Sequence, residues 1–225
     1  MTVRSSAIEI ASRSGRVTVR AGDTPVPVLT KGSGYIDADG VVHSPGHSSV
    51  EVECPRGADV VIGAGSGGVH CHGELGRVAV TTSSGTVTIE RAGSVDVRTA
   101  SSSVTVEDCA GACEIVTKSG TVRVGRAGSL TATATAGRVE VGVTRDARVH
   151  SVAGSVRVGV TGEGTVNVKS MSGSVVVELP AGSHPATRLR SVSGRVRTEN
   201  APPLSPATGV LEVESVSGSI LVRYR

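Results

Sequence analysis

The stretch Thr82-Ser-Ser-Gly-Thr-Val-Thr-Ile-Glu-Arg-Ala-Gly-Ser-Val-Asp-Val-Arg98 holds two short phrases, each opened by a glycine, in which apolar and polar residues alternate. Val87 and Ile89 in one phrase, and Val95 and Val97 in the other, show the period of two that marks a half-buried strand. The phrase recurs from Gly76 to Glu178. Its first inward residue forms a column: Val52, Val69, Val87, Val104, Val122, Val139, Val156, Val175, Val196 and Ile220, in steps of 17, 18, 17, 18, 17, 17, 19, 21 and 24. A second column lies between: Val60, Val78, Val95, Cys113, Leu130, Val149, Val166, Leu189 and Leu211. Two interleaved columns with one period predict two short strands per coil.

One such coil cannot bury its apolar row alone, so coils must stack in register with backbone hydrogen bonds running between them. The expected fold is therefore all-β, a single-stranded parallel β-solenoid (β-helix) with flattened coils of about 17–19 residues and two short strands each. Glycine opens most phrases, as at Gly85, Gly120, Gly137 and Gly154, while Ser102 and Ala147 take the equivalent place twice. No proline occurs between Pro55 and Pro180, as expected where each strand donates hydrogen bonds to its neighbours. The inward residues are mostly Val, with no Phe or Trp in the chain, which predicts a narrow core. At roughly 4.8 Å per rung, about twelve coils make a rod on the order of 60 Å long.

Toward the ends the pattern loosens. Residues 1–51 are expected to form irregular first coils or an N-terminal cap, in which Ile8, Val17, Val26 and Tyr35 follow at nine-residue steps. Residues 52–225 form the regular solenoid, and the whole is one continuous domain. After Leu179 the connections lengthen through Pro180–Pro185 and Asn200–Pro206, which read as loops on one edge. The chain ends inside a strand phrase, so Ile220, Val222 and Tyr224 are expected to form an open edge for self-association.

The net charge of +3 is unevenly spread: residues 1–112 carry 9 Lys and Arg against 12 Asp and Glu, and residues 113–225 carry 14 against 8. Laid along a rod, this is an axial gradient that favours head-to-tail contact or an acidic partner at the C-terminal end. No apolar run reaches the roughly 18 residues of a membrane span, and the first residues lack a signal-peptide apolar core. A cytoplasmic protein without direct membrane insertion is expected. Cys54 and Cys71 each follow a column residue by two, which stacks them on adjacent rungs about 4.8 Å apart. Side chains parallel in register seldom reach disulfide torsion, so both read as buried thiols. Cys113 replaces a core Val, and Cys109 sits at a corner.

No catalytic constellation emerges. The outward column Thr88, Thr105, Arg123, Glu140, Arg157, Val176, Arg197, Leu221 holds no paired acids, and sugar-stacking aromatics are missing, so an enzyme is not expected. His70 and His72 point outward beside Cys71, with His43 and His47 near in sequence, but no third and fourth ligands accompany them, and no metal or cofactor is expected. Arg188, Arg190, Arg195 and Arg197 make a basic patch on facing strands suited to phosphates or to an acidic protein. Without interleaved aromatics it does not suit nucleic acid.

The line Val50-Glu-Val-Glu-Cys-Pro-Arg-Gly-Ala-Asp-Val60, followed by Gly-Ser-Gly-Gly-Val and serial Thr-x-Ser-Gly-x-Val-x-Val phrases, resembles the bacterial "putative adhesin" β-strand-repeat family, which includes accessory proteins of the Lia envelope-stress operon. That resemblance implies a right-handed, pectate-lyase-like solenoid. A weaker likeness, of period and Val-rich core, is to the bactofilins. The reading that follows is a non-enzymatic scaffold that self-associates through its ends or through lateral faces carrying Val116, Val176 and Leu221. The alternatives are a monomeric platform for an unidentified protein in an envelope-stress or regulatory pathway, and a surface adhesin.

Overall fold

The computed structural model describes residues 7–32, 35–36, 42–43, 49–202 and 206–225. Among these, every regular element is a strand: β1 (Ile8–Ser14), β2 (Val17–Gly22), β3 (Val28–Lys31), β4 (Tyr35–Ile36), β5 (Val42–His43), β6 (Val50–Pro55), β7 (Val60–Val160), β8 (Gly164–Ser172), β9 (Val175–Leu179), β10 (Pro185–Ser191), β11 (Val196–Glu199), β12 (Gly209–Ser217) and β13 (Ile220–Tyr224). Stretched out, the 101 residues of β7 would span roughly 330 Å at about 3.3 Å per residue. They fold back on themselves instead. Gly85 lies over Gly67, Gly137 over Gly120 and Gly154 over Gly137. At the lower and upper limits of β7, Gly76 N–H donates to Ala58 O at 2.9 Å, and Val156 pairs with Val175.

The corners explain the Thr-x-Ser-Gly phrase. An inward hydroxyl donates to the carbonyl two residues ahead, Thr82 to Ser84 O at 3.0 Å and Thr117 to Ser119 O at 2.9 Å, which closes the bend locally. The glycine that follows adopts positive φ, +120° at Gly85 and +126° at Gly120, and its α-carbon lies against the backbone of the rung below. Ser102 fills that place once without positive φ; its hydroxyl meets Thr99 Oγ1 at 2.6 Å.

The strands make one sheet in two runs, β10-β12-β8-β7-β1-β5-β4 and β11-β13-β9-β7-β2-β6-β3. Pairing between strands is parallel except where β3 meets β6 and β4 meets β5. Between the runs lies a core of short side chains, including Val87, Ile89, Val104, Val106, Val139, Val141, Val175 and Val177 from one and Val78, Val80, Cys113, Ile115, Val166 and Val168 from the other. The expected inward columns are buried except at Val196 and Leu189.

Those exceptions follow from the order of the end rungs. β12 and β13 do not cap the stack; they lie between β8/β9 and β10/β11, with Ile220 paired to Val175 on one side and Val196 on the other. The open edge expected at Ile220, Val222 and Tyr224 is therefore corrected: all three are buried, and the outermost rung among the described residues is β10/β11. The 180–184 connection from β9 to β10 steps over the β12/β13 rung, its five residues reaching about 17 Å against about 10 Å for two rungs, and β12 then lies one rung back from β11.

The other end repeats the inversion. β1 and β2 sit between β7 and the pair β5/β6, and β3 and β4 then cover that pair antiparallel. Val26 and Tyr35, which continue the nine-residue steps from Ile8 and Val17, are exposed. Cys54 pairs in register with Ala21 and Cys71 with Val19, so β2 separates the two thiols expected on adjacent rungs. All four cysteines are free and buried. Burial pushes Cys54 up to about 11 and Cys71 up to about 12, which keeps both protonated at neutral pH. Among the described residues, no helix is long and apolar enough to cross a membrane.

Candidate functional site: the end rung and its corner groove

On β10, Thr187, Leu189 and Ser191 take the inward positions above Leu211, Val213 and Ser215, while Arg188 and Arg190 stand outward above Glu212 and Glu214. In each column a glutamate lies beneath the arginine of the end rung. Asn167 Nδ2 donates to Glu212 at 2.9 Å, and Glu212 faces Arg188 at 3.6 Å; beside them Lys169 meets Glu214 at 3.1 Å, and Arg190 lies above Glu214. On β11, Arg197 lies over Leu221, and Glu199 pairs with Arg223 at 2.8 Å. Arg195 joins the same rung by accepting the Ile220 N–H on its carbonyl.

The four arginines named from the sequence thus share one rung but divide between two strand runs whose inward side chains face one core. Arg188 and Arg190 look away from Arg195 and Arg197, making two basic pairs in place of one patch. No described strand pairs on the outer side of β10 or β11, and Val196, an inward residue, stays 40% exposed for want of a layer above it.

A groove of about 450 Å³ runs along the corner below this rung. One wall is the column His150, Lys169, Glu214, Arg190; the other is Val152, Met171, Val216 and Val192. These four apolar residues are 45%, 57%, 51% and 83% exposed. Buried serines form the floor, and Ser215 Oγ has no hydrogen-bond partner. The sequence signal for this stripe lies in the corner phrase. Its second residue is polar or small in early rungs (Ser83, Ala100, Lys118, Thr135) and apolar in the last four (Val152, Met171, Val192, Val216).

The outward column that begins at Thr88 runs Arg157, Val176, Leu221, Arg197 at its C-terminal end. Glu140 meets Arg123 at 2.8 Å, and that hydrogen bond holds its carboxyl below the usual range. Glu90 and Asp146 are also lowered, the first chiefly by His72 and the second chiefly by the Thr165 N–H. None of these three shifts is the upward one that a general acid needs at neutral pH.

His70 and His72 stack outward with ring centroids 6.3 Å apart, and His72 Nδ1 lies 2.7 Å from Glu90 Oε1. Glu90 Oε2 accepts the Gly73 N–H at 2.8 Å. Among the described residues no group of three or more His, Cys, Asp or Glu could hold a metal. The His43 side chain and His47 lie outside the described positions.

Among the described residues, fold and surface together define an all-β repeat protein whose stacked strands run mostly parallel and carry ion pairs along their outward columns. The sequence profile of the Toastrack DUF4097 family matches residues 5–223, and the chain belongs to that family. It is also similar to a solved structure from Clostridium sporogenes described as a putative cell adhesion protein, at 8% identity over 98% of this chain and 93% of that one, with a TM-score of 0.29. No curated protein matches, so the likeness to Lia accessory proteins and to bactofilins rests on the repeat.

Proposed function

We propose that this chain is a non-enzymatic, right-handed β-solenoid with two short strands per coil of about 17–19 residues, acting as a rigid platform that recruits a partner protein at its C-terminal end rung. The observation that carries this reading is the end rung itself. β10 and β11 pair on one side only among the described residues and carry Arg188, Arg190, Arg195 and Arg197. An unpaired strand row is a template for another chain. Arginines on both faces of that rung oppose like charges when two such ends approach, which favours an acidic partner over a second copy.

Self-association, the reading drawn first from the sequence, keeps one specific support: the exposed stripe Val152, Met171, Val216, Val192, which could pack against its counterpart on another copy. A photo-crosslinking residue at Thr187, on the outer rung, separates the two in cells under envelope stress. The platform reading expects an adduct with a different protein, lost in Arg188→Gln/Arg190→Gln. Adducts of the chain with itself replace it by self-association. No adduct from Thr187 overturns the platform.

A further inference from the structure

We infer that the partner contributes an extended acidic segment of the pattern Glu-apolar-Glu-Ser/Thr-apolar, which adds as a strand to the free edge of β10. This inference rests on the platform reading and names the chemistry of what it binds.

The chain itself supplies the template. Beneath Arg188-Leu189-Arg190-Ser191-Val192 lies Glu212-Val213-Glu214-Ser215-Val216, paired residue for residue in parallel from Arg188↔Glu212 to Ser191↔Ser215. The corner continues the match, since Val192 N–H donates to Ser215 O at 3.1 Å and Ser193 N–H to Val216 O at 2.9 Å. Each column therefore has a rule that one more rung would extend. The Asn167–Glu212–Arg188 and Lys169–Glu214–Arg190 columns end on a cation and call for a carboxylate next. Leu189 lies over buried Val213 and calls for an apolar residue. Ser191 closes a column of serines that includes Ser170 and Ser215, where a small hydroxyl residue fits. Val192, 83% exposed, ends the stripe through Val216, Met171 and Val152 and calls for an apolar residue at the corner.

Strand addition of this kind takes its affinity from main-chain hydrogen bonds and its specificity from alternating side chains. A second copy does own a similar sequence, Glu51-Val52-Glu53, but on β6 that stretch is already paired by β2 and β3. Its Glu51 is held by Arg20 at 2.6 Å. A segment of another protein is the better occupant.

The test uses a fluorescent peptide with the sequence of residues 209–217, Gly-Val-Leu-Glu-Val-Glu-Ser-Val-Ser, and a second peptide with both glutamates replaced by lysine. Anisotropy titrations against the full chain, at low and at high salt, should show the acidic peptide binding about tenfold more tightly, the size expected of two ion pairs that replace two repulsions. Salt should narrow the gap. Arg188→Gln/Arg190→Gln should equalise the peptides, and Val192→Ser, which removes the apolar corner without adding charge, should weaken both. Equal affinity of the two peptides for the unmodified chain, or no binding of either at about 1 mM, overturns strand addition. If the Thr187 crosslink to a partner persists in that case, the platform stands and only the acidic-strand inference falls. If the peptide binds and no crosslink forms, the platform reading falls and the edge keeps its chemistry.

Discussion

Replacing Gly137 by alanine should cut into the stack at its middle. The residue sits at φ +126°, and a Cβ built there would come closer than 3.0 Å to the Gly120 carbonyl oxygen, a rigid backbone atom of the next rung. A side chain held in that conformation costs about 1–3 kcal/mol, and forcing an extra methyl into packed surroundings costs about 1–3 kcal/mol more. The expected loss is therefore about 2–6 kcal/mol, a large share of the roughly 5–15 kcal/mol that holds a native fold. Gly63 makes the control, because it lacks positive φ and a Cβ there meets nothing within 4 Å. Gly63→Ala should be neutral or stabilise by up to about 1 kcal/mol. Urea unfolding of both variants, followed by circular dichroism, measures the contrast. Equal stability of the two would refute the reasoning, because it would mean that adjacent rungs do not approach through the glycine corner.

Three further outcomes follow from the same geometry. Ile220→Ala, inside the stack, should cost about 2–5 kcal/mol, and Val196→Ala, on the open rung, less than about 1 kcal/mol; urea midpoints in the reverse order would mean that the C-terminal rung is outermost. Ser215→Ala should stabilise the protein by about 1 kcal/mol by removing a buried hydroxyl without a partner, whereas Thr82→Ala should cost about 1 kcal/mol by deleting the bond to Ser84 O; thermal melts showing the same loss in both would count against this. Glu90 is held below its ordinary 4.5, first by the hydrogen bond with His72 and then by the Gly73 N–H. Its contribution is present above pH 4.5 and is lost as the pH falls through the lower folded value. Glu90→Gln should thus flatten the acid limb of the stability curve below pH 4.5, and an unchanged limb in denaturation series would contradict it.

The middle of the fold was legible because its physics is local and repeated. Val87, Ile89, Val104 and Val106 announce strands by alternation, and their spacing brings one rung over the next; all four are buried. The order of rungs at the ends was not legible. Ile220 and Val196 carry the same phrase, and an inward column reads the same whichever strand lies outermost. Only the long connections at 180–184 and 200–208 hinted that the chain had room to reverse. At the other end Val26 and Tyr35 match the half-period by number, but β3 and β4 turn antiparallel and leave both exposed. The same inversion put β2 between Cys54 and Cys71, a separation that counting along the chain could not reveal.

Of the candidate site, the arginines were visible as residues, but their division between two faces depends on which strand run each joins. The corner stripe was not legible because each of its members stands alone between small or polar neighbours, as Met171 does between Ser170 and Ser172. It becomes a surface only when Val152, Met171, Val216 and Val192 are stacked.

Amide hydrogen exchange, resolved by residue, tests most directly the claim that the C-terminal strands lie inside the stack beneath an open, arginine-bearing rung. Amides of β12 and β13, with strands on both sides, should exchange on the order of a hundredfold or more slowly than those of β10 and β11. Slower exchange at β10 and β11 than at β12 and β13 would put the chain terminus at the edge and contradict the account.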